Sequence, residues 1–182
     1  MTLRSLTADG GIDHRSFIDR AEVLHALGHH VLISRTPRNF ALAEVLLRYT
    51  RGRIGIAVGV PTLQAIIGDE YEDLAGGRLE AIGRLFKNAV KVYVYPTIDP
   101  ASGALVTAET MPITESFGHL YRFLLENKRI EGLEHYDPSI LHIDTRDVLA
   151  RLQRGDAGWE SAVPERVTTI IKERRLFQDH AT

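Results

Sequence analysis

Apolar positions recur at helical spacing early in the chain, where Phe17, Ile18, Ala21, Leu24, Ala26 and Leu27 form one stripe behind Asp13. Asp13 suits an N-cap, and Gly28 can take the left-handed position that closes a helix, so a helix is expected over 14–27. Val31, Leu32 and Ile33 follow as an unbroken apolar run ended by Ser34, the pattern of a strand covered on both faces of a parallel sheet. Thr36-Pro37 then offers a cap and a proline for the first helical position, and Phe40, Ala43, Leu46 and Leu47 supply the next buried stripe. The stretch reads α-β-α, with 31–34 as a central strand that brings Ser34 to the edge of a sheet.

The alternation repeats downstream. Ile54, Ile56, Ala57 and Val58 read as a strand interrupted by Gly55; Gly59-Val60-Pro61 turns the chain into a short helix over 62–67, and an acidic, glycine-punctuated loop, GDEYEDLAGG, follows. Leu79, Ile82, Leu85 and Phe86 rebuild a helical stripe, and Val90 to Tyr95, VKVYVY, is the clearest strand, ended by Pro96. Asp99-Pro100 and Ser102-Gly103 mark a turn within 97–112, expected to be a hairpin or excursion at the sheet edge. Helices are expected over 117–125, 145–152 and 164–174, linked by the loops EGLEHYDPSI and QRGDAGWESAVP, with Trp159 as a packing anchor in the second loop. Strands alternating with helices predict an α/β fold, a three-layer αβα, Rossmann-like parallel sheet with C-terminal helices. The expected layout is a single domain over 1–182, with a βα core in 1–96 and a helical part in 113–182.

Composition narrows the functional classes. The chain has 182 residues, 44% of them hydrophobic and 25% charged, which suits a domain able to bury a real core. With no cysteine, disulfides and thiolate metal sites are excluded, which fits a reducing, cytoplasmic setting. No apolar run approaches the ~20 residues of a membrane span, and MTLRSLTADGG has no signal-peptide core, so no membrane partner is expected. A net charge of −2 argues against a nucleic-acid partner, although five arginines face one glutamate between Arg35 and Arg53.

The candidate chemistry sits where the first expected strand meets the next helix. Free N–H groups and the positive end of a helix dipole there favour an anion, so Ser34, Arg35, Thr36 and Arg38 are the candidate phosphate- or carboxylate-binding residues. Capping alone explains the same residue types. Asp69 and Asp73 fall in a G-D-x-x-x-D spacing that suits metal carboxylates or a solvated acidic loop. His25 and His29 could share a metal only if the helix ran through Gly28, with no third ligand in view. No metal, cofactor or catalytic residue is assigned.

Two enzyme templates resemble parts of this pattern. A strand ending in Ser34 behind the L-x-x-L-G of Leu24 to Gly28 resembles the second motif of haloacid-dehalogenase-like (HAD-like) phosphohydrolases, whose hydroxyl holds a phosphoryl group. Their D-x-D-x-T nucleophile has no counterpart before residue 30. Ile33-Ser34-Arg35-Thr36 resembles the I-S-S-T signature of nicotinate-nucleotide adenylyltransferases, with Arg38 one position early, and His25, His29 and His30 around Gly28 resemble their H-x-G-H.

Taken over nearly its whole length, through segments such as GGIDHRSFIDRAEVLHALGHHVLIS, RYTRGRIGIAVGVPTL and DLAGGRLEAIGRLFKNAVKVYVYP, the chain resembles the C-terminal part of a group of longer bacterial proteins. That group carries the labels nicotinate-nucleotide adenylyltransferase and TonB-dependent receptor. The second label would imply a barrel, for which the chain has neither alternating ten-residue strands nor aromatic girdles. The resemblance also implies that a larger N-terminal part of those relatives is missing here. Two functions are therefore expected. One is a non-catalytic structural or regulatory subunit that binds a protein partner or its own copies. The other is a nucleotide- or phosphate-binding enzyme domain of the adenylyltransferase kind, using Ser34, Arg35, Thr36 and Arg38.

Overall fold

The computed structural model describes residues 14–36, 38–68, 71, 73–87 and 89–177. In chain order its helices are α1 (His14–Ala26), α2 (Asn39–Leu46), α3 (Val60–Ile67), α4 (Gly77–Phe86), α5 (Glu115–Glu126), α6 (Thr145–Arg154) and α7 (Glu165–Arg174). The strands are β1 (Ile54–Gly59), β2 (Val90–Tyr95), β3 (Thr97–Ile98), β4 (Leu105–Val106) and β5 (Ile130–Gly132). These elements group into two compact units: residues 14–36 with 143–177, and residues 38–142.

In the first unit α1 ends as its sequence dictates. Gly28 adopts φ +86°, its N–H donates to the His25 carbonyl at 2.9 Å, and the His29 N–H donates to the Leu24 carbonyl at 3.0 Å. Asp13, the expected cap, lies outside the described residues. The central strand expected over 31–34 does not form: Val31 to Ile33 have no regular structure, Ser34 makes only an isolated bridge, and Leu32 and Ile33 are 52% and 55% exposed. A short apolar run records β preference but not the neighbouring strands and helices that would cover it. Helix α6 starts where the Asp144 carboxylate accepts from the Arg146 N–H at 2.8 Å and stops at left-handed Gly155. Leu152, Trp159, Val167, Ile171 and Leu176 form the small core of this unit, joined by Val23 and Leu27 of the first helical segment. Trp159 is thus the anchor of its loop. The buried Asp19 carboxylate accepts from the Phe177 N–H at 2.7 Å and ties down the chain after α7.

The second unit holds a three-stranded parallel sheet in the order β1-β2-β5. Right-handed crossovers that step across a sheet in one direction place every connecting helix on the same face. That is the outcome here. Val58, Val90, Val92, Val94 and Ile130 point into one core with Phe40 and Ala43 of α2, Leu63 and Ile66 of α3, Ile82 and Leu85 of α4, and Tyr121 and Leu124 of α5. A doubly wound sheet covers its second face by reversing direction, and these three strands never reverse. The unit is a two-layer α/β body, and the three-layer αβα arrangement expected from the sequence is not met within it.

Local chemistry explains the boundaries. Helix α3 begins at Val60 rather than at Thr62, because extended Gly59 serves as N-cap and Pro61 fits the first turn. Helix α2 begins at Asn39 with extended Arg38 as its N-cap and no side-chain capping bond, so the cap expected at Thr36 is not used; Pro37 lies outside the described residues. The expected hairpin is present as β3 and β4, antiparallel, closed by Asp99 accepting from the Ser102 N–H at 3.0 Å and by left-handed Gly103. Strand β5 falls in the segment after α5, where the sequence predicts only a loop.

Candidate functional site

The face of the β1-β2-β5 sheet turned away from that core is built by the alternate residues of the same strands. The register pairs Gly55 with Lys91, Ala57 with Tyr93, Gly59 with Tyr95, and Tyr93 with Glu131. Gly55, Ala57 and Tyr95 are exposed, and Lys91, Tyr93 and Glu131 half-buried, whereas their neighbours Val90, Val92 and Val94 are at most 1% exposed. Two glycines on β1 let the tyrosines of β2 lie down. A Cβ on Gly55 would stand 3.1 Å from Tyr93 Cε2, and one on Gly59 3.0 Å from the Tyr95 ring. The rings therefore rest over bare backbone, with Ala57 exposed on the same face between those two positions.

At the other margin the Lys91 ammonium meets the Glu131 carboxylate at 2.5 Å and lies 5.1 Å from the Tyr93 ring centroid. The hydrogen bond with Glu131 raises the Lys91 pKa, and the same bond lowers that of Glu131 against its partial desolvation. The two charges neutralise each other, leaving a face of aromatic and small side chains with little net charge.

Beyond the carboxyl ends of β2 and β5 lies a shallow cleft of about 240 Å³, with Val94, Pro96 and Leu133 as apolar walls and Thr107, Glu109, Glu131 and Glu134 as polar ones. Between the lining residues Thr107 and Glu109 in the chain, the Ala108 carbonyl accepts from the buried Tyr121 hydroxyl at 2.6 Å. Burial, and then the nearby Glu109 charge, push the Tyr121 pKa far up, so the hydroxyl stays a donor. The Glu109 carboxylate lies where a side chain on Gly132 would go, 2.9 Å from the position of its Cβ. With Glu131 held by Lys91, the Glu109 and Glu134 carboxylates still disfavour phosphate, and among the described residues no group of three His, Asp or Glu is arranged to hold a metal ion.

The residues singled out in the sequence fall as follows. Ser34, Arg35 and Thr36 lie in the first unit, where the Ser34 hydroxyl accepts from the Thr36 N–H at 2.9 Å, a local turn of the kind serine often makes. Arg38 lies in the second unit, its guanidinium 2.6 Å from the Asp73 carboxylate and 5.4 Å from the Tyr71 ring centroid. That hydrogen bond lowers the Asp73 pKa, so the acid is engaged as an ion-pair partner. Asp69 lies outside the described residues. His25 and His29 are separated by the left-handed turn at Gly28, which removes the helical i, i+4 arrangement a shared metal would need.

Lys91, Tyr93, Tyr95 and Glu131 did not emerge as site residues from the sequence, yet a signal was there. Parallel strands covered on both faces are continuously apolar, whereas VKVYVY and IGIAVG alternate, which is the mark of a sheet with one open face. Comparison of the chain with family models, with curated proteins and with solved structures finds no match in any of the three. No helix among the described residues is long and apolar enough to cross a membrane.

Proposed function

We propose that the chain is a non-catalytic protein-binding module, a small structural or regulatory subunit whose partner seats on the open face of the β1-β2-β5 sheet. One observation carries the reading: a parallel sheet, an arrangement ordinarily buried on both sides, presents Tyr95 and Ala57 exposed and Tyr93 half-buried on one of them among the described residues. Tyrosine is enriched among the residues that dominate interface energetics, and a ring already laid on the backbone loses little freedom on binding. On this reading the body is a Rossmann-like, HAD-like αβα sandwich whose third layer is supplied by the partner.

The test is site-specific photo-crosslinking in the expressing cell, with the photoreactive residue at position 95 or 57 and, as control, at Tyr49, which is 86% exposed outside the sheet. A discrete protein adduct from the sheet positions alone is expected. No adduct from either sheet position, together with thermal stabilisation by a nucleotide or by phosphate, would overturn the reading in favour of a ligand-binding domain.

A further inference from the structure

Apart from that face, we infer that the edge of the sheet at the amino ends of β1, β2 and β5 binds single-stranded nucleic acid. Tyr49 is the platform on which a base stacks, and the basic side chains around it hold the phosphates. Topology makes the surface. The strands are parallel, so the connections that enter them all lie at one edge: residues 47–53 after α2, Lys87 and Ala89 after α4, and 127–129 after α5. The Ile54 N–H donates to the Ala89 carbonyl at 3.0 Å and the Val92 N–H to the Arg129 carbonyl at 2.9 Å, which sets the three side by side. They carry Arg48, Arg51, Arg53, Lys87, Lys128 and Arg129 and no acid.

That charge is not neutralised locally. Glu44 pairs with Arg84 and Glu131 with Lys91, and among the described residues Arg48, Arg51, Arg53, Lys87 and Lys128 form no ion pair. Helices α2, α4 and α5 end here, each bringing about half a negative charge, and Glu126 adds one more, against at least five positive side chains. The net charge of −2 belongs to the whole chain, and charges more than about 8 Å away are largely screened at physiological salt. Lys128 holds φ +52°, a left-handed position that favours glycine, so a cation stands there at a conformational cost. Tyr49 is 86% exposed, in a turn fixed by the Gly52 N–H donating to the Thr50 hydroxyl at 3.0 Å. A ring held in water among arginines suits a base, which stacks whatever its identity, and the planar arginine fork suits phosphodiester oxygens. A lipid surface favours exposed large aliphatic side chains, and these connections have none.

The probes are end-labelled oligo(U) and oligo(dT) of about ten nucleotides, titrated with the full chain by fluorescence anisotropy. A Kd of about 1–100 µM is expected, weakening about twentyfold from about 50 to 150 mM salt as four phosphates are neutralised. Binding of oligo(U) alone assigns the edge to RNA, of oligo(dT) alone to DNA, and of both to either strand. Tyr49→Ala should weaken binding at least about fivefold with the salt slope unchanged, and Tyr49→Phe should bind as the parent does. The Arg51→Ala, Arg53→Ala double variant should lower the slope of log Kd against log salt by about 1.4. Lys128→Gly should lower it by about 0.7 in a chain at least as stable to urea, because glycine fits the left-handed position. Arg146→Ala, which removes an exposed charge from the other unit, should change nothing. No binding at about 50 mM salt, undiminished binding by Tyr49→Ala, or equal binding of a duplex of the same length overturns the inference. So does retention on phosphatidylcholine vesicles containing about one-third phosphatidylserine that oligo(U) and oligo(dT) fail to compete.

Discussion

Adjacent residues on β2 should differ sharply in what their truncation costs, because one faces the core and the other the open side. Val94 is 1% exposed and Tyr95 50%. Val94→Ala removes two buried carbons, about 1.6 kcal/mol at about 0.8 kcal/mol per methylene. A residual cavity of roughly 50 Å³, at about 24 cal/mol per Å³, adds about 1.2 kcal/mol, for a total of about 2–3 kcal/mol. Tyr95→Ala removes a larger side chain, but water can fill the space it leaves and no cavity term applies, so the cost should stay below about 1 kcal/mol. Urea titrations followed through the amide signals of Val92 and Ile130 separate the two. With a slope of about 2 kcal/mol per molar, Val94→Ala should lower the midpoint by about 1–1.5 M and Tyr95→Ala by under about 0.5 M. Equal losses would mean that the Tyr95 ring is packed beneath another layer, and the open-face argument would be refuted.

Three further outcomes follow from specific contacts. Tyr121→Phe leaves the fully buried Ala108 carbonyl without its donor and should cost about 1–3 kcal/mol in urea unfolding, with faster amide exchange over 107–111. Asp19→Ala removes the acceptor of the Phe177 N–H and should raise exchange at Phe177, with Trp159 fluorescence reporting an earlier loss of the same unit. Glu44 is bonded to Arg84 at 2.8 and 2.7 Å, and this bond lowers its pKa below 4.5. Its contribution is therefore present above about pH 4.5 and lost as pH falls through the lower folded value. Glu44→Gln should be less stable than the parent at pH 7 and show a flatter acid limb between about pH 5 and pH 3; parallel limbs would contradict the assignment.

Much of the local structure was legible in the chain. The stripes of α1, α4 and α5 and the hairpin turn at Asp99 to Gly103 rest on spacing, caps and glycine positions that act within a few residues. Strand β5 was not legible: Ile130 to Gly132 is too short to show a period, and it is a strand only because Val92 and Val94 offer it a ladder. The failure at 31–34 is the converse, a strong local preference without a partner strand to satisfy it. Of the anion-site residues placed at the end of that strand, Ser34 closes a local turn with Thr36 and Arg38 pairs with Asp73.

The sequence by itself determined which segments are helical, which strand residues are apolar, and that Val90 to Tyr95 alternates; each depends on interactions reaching no further than a turn or a pleat. Only the tertiary structure decided which face of the sheet the helices would take. With β1, β2 and β5 following one another in a single direction, handed crossovers put the connecting helices of this unit on one side. The other side was left to Tyr93, Tyr95 and the Lys91–Glu131 pair.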